Sequence, residues 1–238
     1  MAKGFTFKQF HVDDFGCGMP VSTDGVLLGA WAELSRHGQI LDIGTGSGLL
    51  ALIAAQRTAA TAPQVVAIEI DPTAAKAANQ NFTQSPWSTR LECIEQDVES
   101  WAARQPSGNF NTIVCNPPYF NSGLKADSQS RATARHTDSL SHPALLATIR
   151  HLLCDTGSAN LILPEFEGRQ LVKLAPAYQL SCRRLCEVRS TEKKPVSRLL
   201  ITLSRQPGDR ETEQLSIHHQ GQYSEQFSAL TRDFYLKL

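Results

Sequence analysis

The sequence lacks any apolar run near the roughly 20 residues that a bilayer-spanning helix needs, so no membrane partner is expected. The first residues, MAKGFTFKQFHVDD, contain no apolar stretch, and no secretory signal is expected. The six cysteines, at 17, 93, 115, 154, 182 and 186, form no CxxC pair. Most fall in predicted strands or helices, as buried free thiols do. A reduced, cytoplasmic protein without a metal site follows. An excess of one charge is also missing. With 23 basic and 23 acidic residues, any polyanion must be met by a local patch, not by the field of the whole chain. No internal repeat and no shift in composition divides the 238 residues. One domain over residues 1–238 is therefore expected, long enough for a sizeable core.

What is present is a rhythm. Phe5, Phe7 and Phe10 alternate with polar residues as in a short strand, and FGCGMP (15–20) is a turn. Thr23 or Asp24 reads as the N-cap of a helix that His37-Gly38 ends. From there, strands at 40–43, 65–70, 91–96 and 111–115 alternate with helices at 47–57, after Asp71-Pro72, and near 98–104. Alternating βα units of this length imply right-handed crossovers. The expected fold is α/β: a doubly wound, mostly parallel seven-stranded sheet of Rossmann-like type. Residues 120–141 interrupt the rhythm with a polar, serine-rich stretch, long for a connection in a compact domain. Helices at 143–154 and 166–175 and a strand at 158–163 follow. Strands at 180–189 and 199–204 read as an antiparallel edge pair. Beyond Gln206 the chain reads as a polar tail until FYLKL.

Two stretches carry the chemistry. In ILDIGTGSG (40–48) a buried strand runs into Gly44, Gly46 and Gly48. In such sheets the ligand sits at the carboxyl ends of the strands, where strand order reverses. Glycines there allow close backbone approach and positive φ. A dinucleotide fingerprint is GxGxxG; here the third glycine comes one residue early, giving GxGxG after Asp42. Glu69 ends the second strand, where a carboxylate can accept both hydroxyls of a ribose. Asp97 ends the third, where it either accepts an adenine amino group or caps the next short helix. Asp42 is placed to meet a ligand ammonium, directly or through water.

The second stretch, IVCNPPY (113–119), ends the fourth strand in Asn116-Pro117-Pro118-Tyr119. Two prolines fix φ twice and stiffen the loop. That directs the Asn116 amide oxygen and the Pro117 carbonyl at one point, where an exocyclic NH₂ would donate to both. Its nitrogen lone pair is conjugated into a ring, so orientation and electrostatics carry the activation. Tyr119, with Phe120, offers a stacking face.

DIGTGSG followed by NPPY resembles the amino-methyltransferases of the class I S-adenosylmethionine (SAM) superfamily. STDGVLLGAW (22–31) and ARHTDSLSH (134–142) narrow the resemblance to the bacterial valine-tRNA adenine-N6 methyltransferase family, over nearly the whole chain. The resemblance implies SAM as cofactor and a flipped adenine 3′ of the anticodon as acceptor. It implies tRNA as partner, no obligate protein partner, and no separate RNA-binding module. Residues 1–39 are then an N-terminal extension packing near the active site. Asp42, Gly44, Gly46, Glu69 and Asp97, with Gly48 of the same loop, would hold SAM; Asn116, Pro117 and Tyr119 would hold the base. A lysine is expected before Val21, and Pro20 stands there. For RNA, Arg131, Arg135 and His136 in the long loop are the first candidates. The cluster Arg183, Arg184, Arg189, Lys193, Lys194 and Arg198 is the second; exposed edge lysines are also read as solvated charges. The alternatives are a ribosomal-RNA guanine-N2 or adenine-N6 methyltransferase and a protein glutamine N5-methyltransferase. The latter usually carries a separate N-terminal helical domain, and about 39 residues are too few for one.

Overall fold

Strand β3 (Gln39–Ile43) begins a run that the sequence rhythm foretells closely. It passes through α2 (Leu49–Arg57), β4 (Gln64–Glu69), α3 (Pro72–Gln84), β5 (Leu91–Glu95), α4 (Val98–Ala102) and β6 (Phe110–Cys115). The computed structural model describes residues 4–18, 20–117 and 140–237. Before the run lie a hairpin, β1 (Gly4–Thr6) and β2 (His11–Asp13), and helix α1 (Thr23–Trp31). After it come α5 (His142–Leu152), β7 (Leu153–Pro164), α6 (Glu165–Leu174), β8 (Ser181–Thr191), β9 (Val196–Ser204), β10 (Glu211–His219), β11 (Gln222–Tyr223) and α7 (Glu225–Thr231).

The main sheet has the order β11-β10-β8-β9-β7-β6-β3-β4-β5. Strands β3 to β7 pair in parallel, and β9 is antiparallel to both β7 and β8. This is the expected mostly parallel α/β sheet with its antiparallel pair, although it has nine strands among the described residues where seven were expected. The pair is not the outermost, however, because β10 joins β8 in parallel and β11 follows it antiparallel. The tail beyond Gln206 hid this strand because only Leu215 of β10 is buried, so no alternation of apolar residues announces it.

Helix α1 also differs from its expected bounds. Its cap is Ser22, whose Oγ accepts the Gly25 N–H at 3.1 Å, not Thr23 or Asp24. It stops at Trp31, six residues before His37. The guanidinium of Arg57 donates to the carbonyls of Gly29 and Ala32 at 2.7 and 2.8 Å, satisfying acceptors that a helix end leaves over. Helix α3 starts as read: Asp71 accepts from Ala74 N–H at 2.8 Å and Pro72 opens the helix.

The core lies on both faces of the sheet. Leu41, Ile43, Ile113 and Leu161 face α4 and α5, while Ile40, Val65 and Ala67 face α2 and α3. Phe7 and Phe10 stack at 4.6 Å and join Phe82, Trp87 and Phe234. Lys8 N–H donates to the Phe234 carbonyl at 2.9 Å, so the two ends of the chain close the same face. Among the described residues, no helix is long and apolar enough to cross a membrane.

Candidate functional site

Strand order reverses between β3 and β6, its parallel neighbour on the other side from β4. A crevice at the carboxyl ends opens at such a point. The two stretches singled out in the sequence, the glycine loop after β3 and Asn116-Pro117 after β6, flank it.

The glycine loop is tied down at both ends. Gly44 and Thr45 donate to the Ile68 carbonyl at 2.9 and 3.2 Å, and Gly48 to the Thr45 carbonyl at 2.9 Å. Gly44 has φ +70, and a Cβ there would meet none of the described residues within 4 Å. Gly48 is a different case. A Cβ at that position would lie 2.6 Å from the Phe82 ring and 3.4 Å from the Ala78 Cα. Packing of α3 against the loop explains this glycine without any ligand.

Two acids organise the loop. Asp42 is fully buried. Its Oδ2 accepts from Thr45 Oγ1 at 2.5 Å and from Ala51 N–H at 3.0 Å, whereas Oδ1 has no hydrogen-bond partner among the described residues. Burial, with Glu69 nearby, pushes its pKa up to about 7. Glu69 is 5% exposed. One of its oxygens accepts Gly46 N–H at 2.8 Å and the other accepts Asp71 N–H at 3.0 Å. Each carboxylate oxygen offers two acceptor positions, so both retain capacity.

Asp97 follows β5 and caps α4, with Oδ1 accepting the Ser100 N–H at 2.8 Å. That bond holds its carboxyl below the usual range. The capping alternative is therefore what the structure displays, and it leaves the second oxygen as the one that can meet a ligand.

Asn116 is half-buried and Pro117 buried at the end of β6. The preceding Cys115 is buried, and burial raises its thiol pKa well above the ordinary value. A thiol so held stays protonated and is no nucleophile. Pro118, Tyr119, Phe120, Arg131, Arg135 and His136 lie outside the described residues.

Two participants were not singled out in the sequence. Ile70, one residue past Glu69, is 50% exposed, an apolar side chain left at the carboxyl end of the sheet. Asn81 sits on the buried face of α3 among Ala77, Ala78 and Phe82. Its amide oxygen accepts Asp13 N–H at 3.0 Å, and its nitrogen donates to the carbonyls of Asp13 and Ser47 at 2.9 and 2.8 Å. It thus joins the N-terminal hairpin to the glycine loop. The available signal was an asparagine at helical spacing within an apolar stripe.

The basic cluster of residues 183–198 is split. Arg183 and Arg184 lie at the start of β8, away from the crevice. Arg183 donates to the Pro207 carbonyl; Arg184 pairs with Glu213 and sits 4.2 Å over the Trp31 ring. Arg189, Lys193, Lys194 and Arg198 lie at the other end, where β8 turns into β9 beside the carboxyl end of β7.

Known proteins resemble this chain in sequence and in fold. Residues 22–137 match the family model Methyltransferase small domain. The chain is 65% identical over 240 residues to a tRNA1(Val) (adenine(37)-N6)-methyltransferase of Photobacterium profundum, covering 100% of each. It is 49% identical over 236 residues to the protein of that name in Vibrio campbellii, covering 99% of this chain and 97% of the other. Among solved structures, a predicted O-methyltransferase of Agrobacterium tumefaciens superposes with TM-score 0.64 at 20% identity, over 89% of this chain and 96% of that one. Pyrococcus horikoshii TYW2 in complex with MeSAdo superposes with TM-score 0.58 at 14% identity, over 85% and 70%. At these identities the structural likeness shows the fold.

Proposed function

The chain belongs to the tRNA1(Val) (adenine(37)-N6)-methyltransferase family, and from that premise we propose how its own residues perform the reaction. The enzyme transfers a methyl group to the exocyclic N6 of an adenine in tRNA; the family name points to adenine 37 of a valine tRNA. We assign SAM to the crevice between β3 and β6.

The observation that carries the cofactor assignment is the Oδ1 atom of Asp42, buried and without a hydrogen-bond partner among the described residues, two residues before Gly44, where a Cβ would meet none of the described residues within 4 Å. An orphaned buried carboxylate oxygen is costly unless something donates to it. The ammonium of SAM, or a water bound to it, is such a donor. Glu69 accepts the ribose hydroxyls with the lone pairs that Gly46 and Asp71 leave over. Ile70 lies against the adenine of the cofactor, and the second oxygen of Asp97 accepts its amino group. When bound, SAM supplies an electrophilic methyl on a sulfonium, which departs as a neutral thioether.

The acceptor side needs no covalent intermediate, and the buried, protonated Cys115 supplies none. The Asn116 side-chain oxygen and the Pro117 carbonyl each accept one hydrogen of the adenine NH₂. This pulls the nitrogen from the ring plane and aims its lone pair at the methyl. Tyr119 stacks on the base. Positioned acceptors of this kind act through orientation and preorganised charge.

The test is an acceptor assay. The protein is incubated with methyl-labelled SAM and, in separate arms, unmodified valine tRNA, ribosomal subunits or a peptide-release factor. Label confined to N6 of one adenine in the tRNA supports the reading. Label on ribosomal RNA or on a glutamine side chain, with the tRNA blank, overturns it.

A further inference from the structure

With equal numbers of acidic and basic residues, this protein has no overall field to hold RNA. Contacts that do not depend on net charge must contribute, and stacking of bases on aromatic rings is the general one. Phe166 is 62% exposed, the most exposed large apolar side chain among the described residues. It stands two residues past Pro164, the end of β7. Strand β7 adjoins β6, with Leu161 opposite Cys115, so Phe166 follows the strand next to the one that leads into Asn116. Adjacent strands lie about 4.8 Å apart. The first turns of α5 and α6 meet here, with His142 Nε2 and Glu167 Oε2 3.9 Å apart.

On the same end of the sheet, beyond β7 and β9, the β8–β9 turn carries Lys193 and Lys194, both exposed. Most acids around them are engaged. Glu187 meets Arg169 and Arg189 at 2.9 and 3.5 Å, and Arg169 also pairs with Glu165. Asp24 meets Arg198 at 2.7 Å, and Glu192 meets His219 Nδ1 at 3.1 Å. Neither lysine has a side-chain hydrogen bond or ion pair within the described residues.

We propose that this rim is the RNA-docking surface: Phe166 stacks on an unpaired base next to the methylated adenine, and Lys193 and Lys194 contact phosphates one to two strand widths beyond Phe166. The proposal rests on the tRNA reading above and adds which face of the protein the RNA crosses. It also separates Lys193 and Lys194 from Arg183 and Arg184, which it leaves off the surface.

The experiment measures binding and methylation of unmodified valine tRNA by the full chain between 50 and 200 mM salt. The variants are Phe166→Ala, Phe166→Trp and the pair Lys193→Ala with Lys194→Ala. Losing one stacked base should weaken tRNA roughly ten- to a hundredfold in Phe166→Ala, with KM rising and Phe166→Trp restoring it. The lysine pair should flatten the salt slope by about two. SAM affinity and melting temperature should stay at wild-type values, because all three side chains are exposed. Wild-type tRNA affinity in Phe166→Ala, or a loss that Phe166→Trp does not restore, overturns the proposal while the functional reading stands. A wild-type protein that neither binds nor methylates tRNA overturns both.

Discussion

The carboxylate of Glu69, at the end of β4, accepts the backbone N–H of Gly46 in the loop after β3 at 2.8 Å. The residue assigned to the cofactor ribose therefore also fixes the shape of the glycine loop. These two duties separate by substitution. Glu69→Ala leaves the N–H groups of Gly46 and Asp71 without their acceptor, at about 1–3 kcal/mol of stability. It also removes a charged acceptor for the ribose, so SAM should bind roughly ten- to a hundredfold more weakly. Glu69→Gln keeps one acceptor oxygen and should lie between. Calorimetry and thermal unfolding check this together. Stability lost with SAM affinity unchanged would restrict Glu69 to the loop.

Asn81 gives a second prediction. Its three hydrogen bonds tie Asp13 to Ser47. Asn81→Ala should cost about 1–3 kcal/mol for each buried group left unpaired and should weaken SAM through the loosened loop. Asn81→Asp should be worse, because an acceptor-only side chain would face two carbonyls. Urea unfolding that ranks Asp above Ala in stability would contradict this geometry.

Asp42 makes the third. Its pKa, raised by burial to about 7 from 3.8, means that the folded protein keeps a proton there that the unfolded chain releases. The stability from this group is fully present below about pH 4 and is lost as pH rises towards 7. Unfolding free energies of wild type and Asp42→Asn, measured without SAM from pH 4 to 8, should therefore differ by a pH-dependent amount. The wild type should lose up to a few kcal/mol relative to the variant across that window. Parallel curves would mean that Asp42 is not held protonated by its surroundings.

Much of the fold was legible because β3 to β6 are buried strands separated by helices, two of them capped by aspartates, Asp71 and Asp97. Asp71-Pro72 marks the start of α3 by the rule that favours proline at the first helical position. The failures have local causes. Ser22 precedes two other capping residue types, Thr23 and Asp24, and only the Gly25 hydrogen bond distinguishes it. Strand β10 is a half-exposed strand near the sheet edge whose pattern does not alternate. At the site, glycine spacing pointed to the loop but not to Gly48's contact with Phe82, which needs a long-range packing partner. The basic cluster looked continuous in sequence. A strand of eleven residues rises about 3.3 Å per residue, so its two ends face opposite edges of the sheet.

The central claim is that Asn116 orients the acceptor amine and leaves SAM binding to other residues. Single-turnover methyl transfer to unmodified valine tRNA, measured beside calorimetric SAM affinity for Asn116→Ala, tests it most directly. The account predicts a rate loss on the order of 10²–10³, by analogy with removal of one preorganised hydrogen-bonding group, with SAM affinity near wild type. A rate within threefold of wild type, or a collapse of SAM affinity equal to the loss of rate, would contradict it.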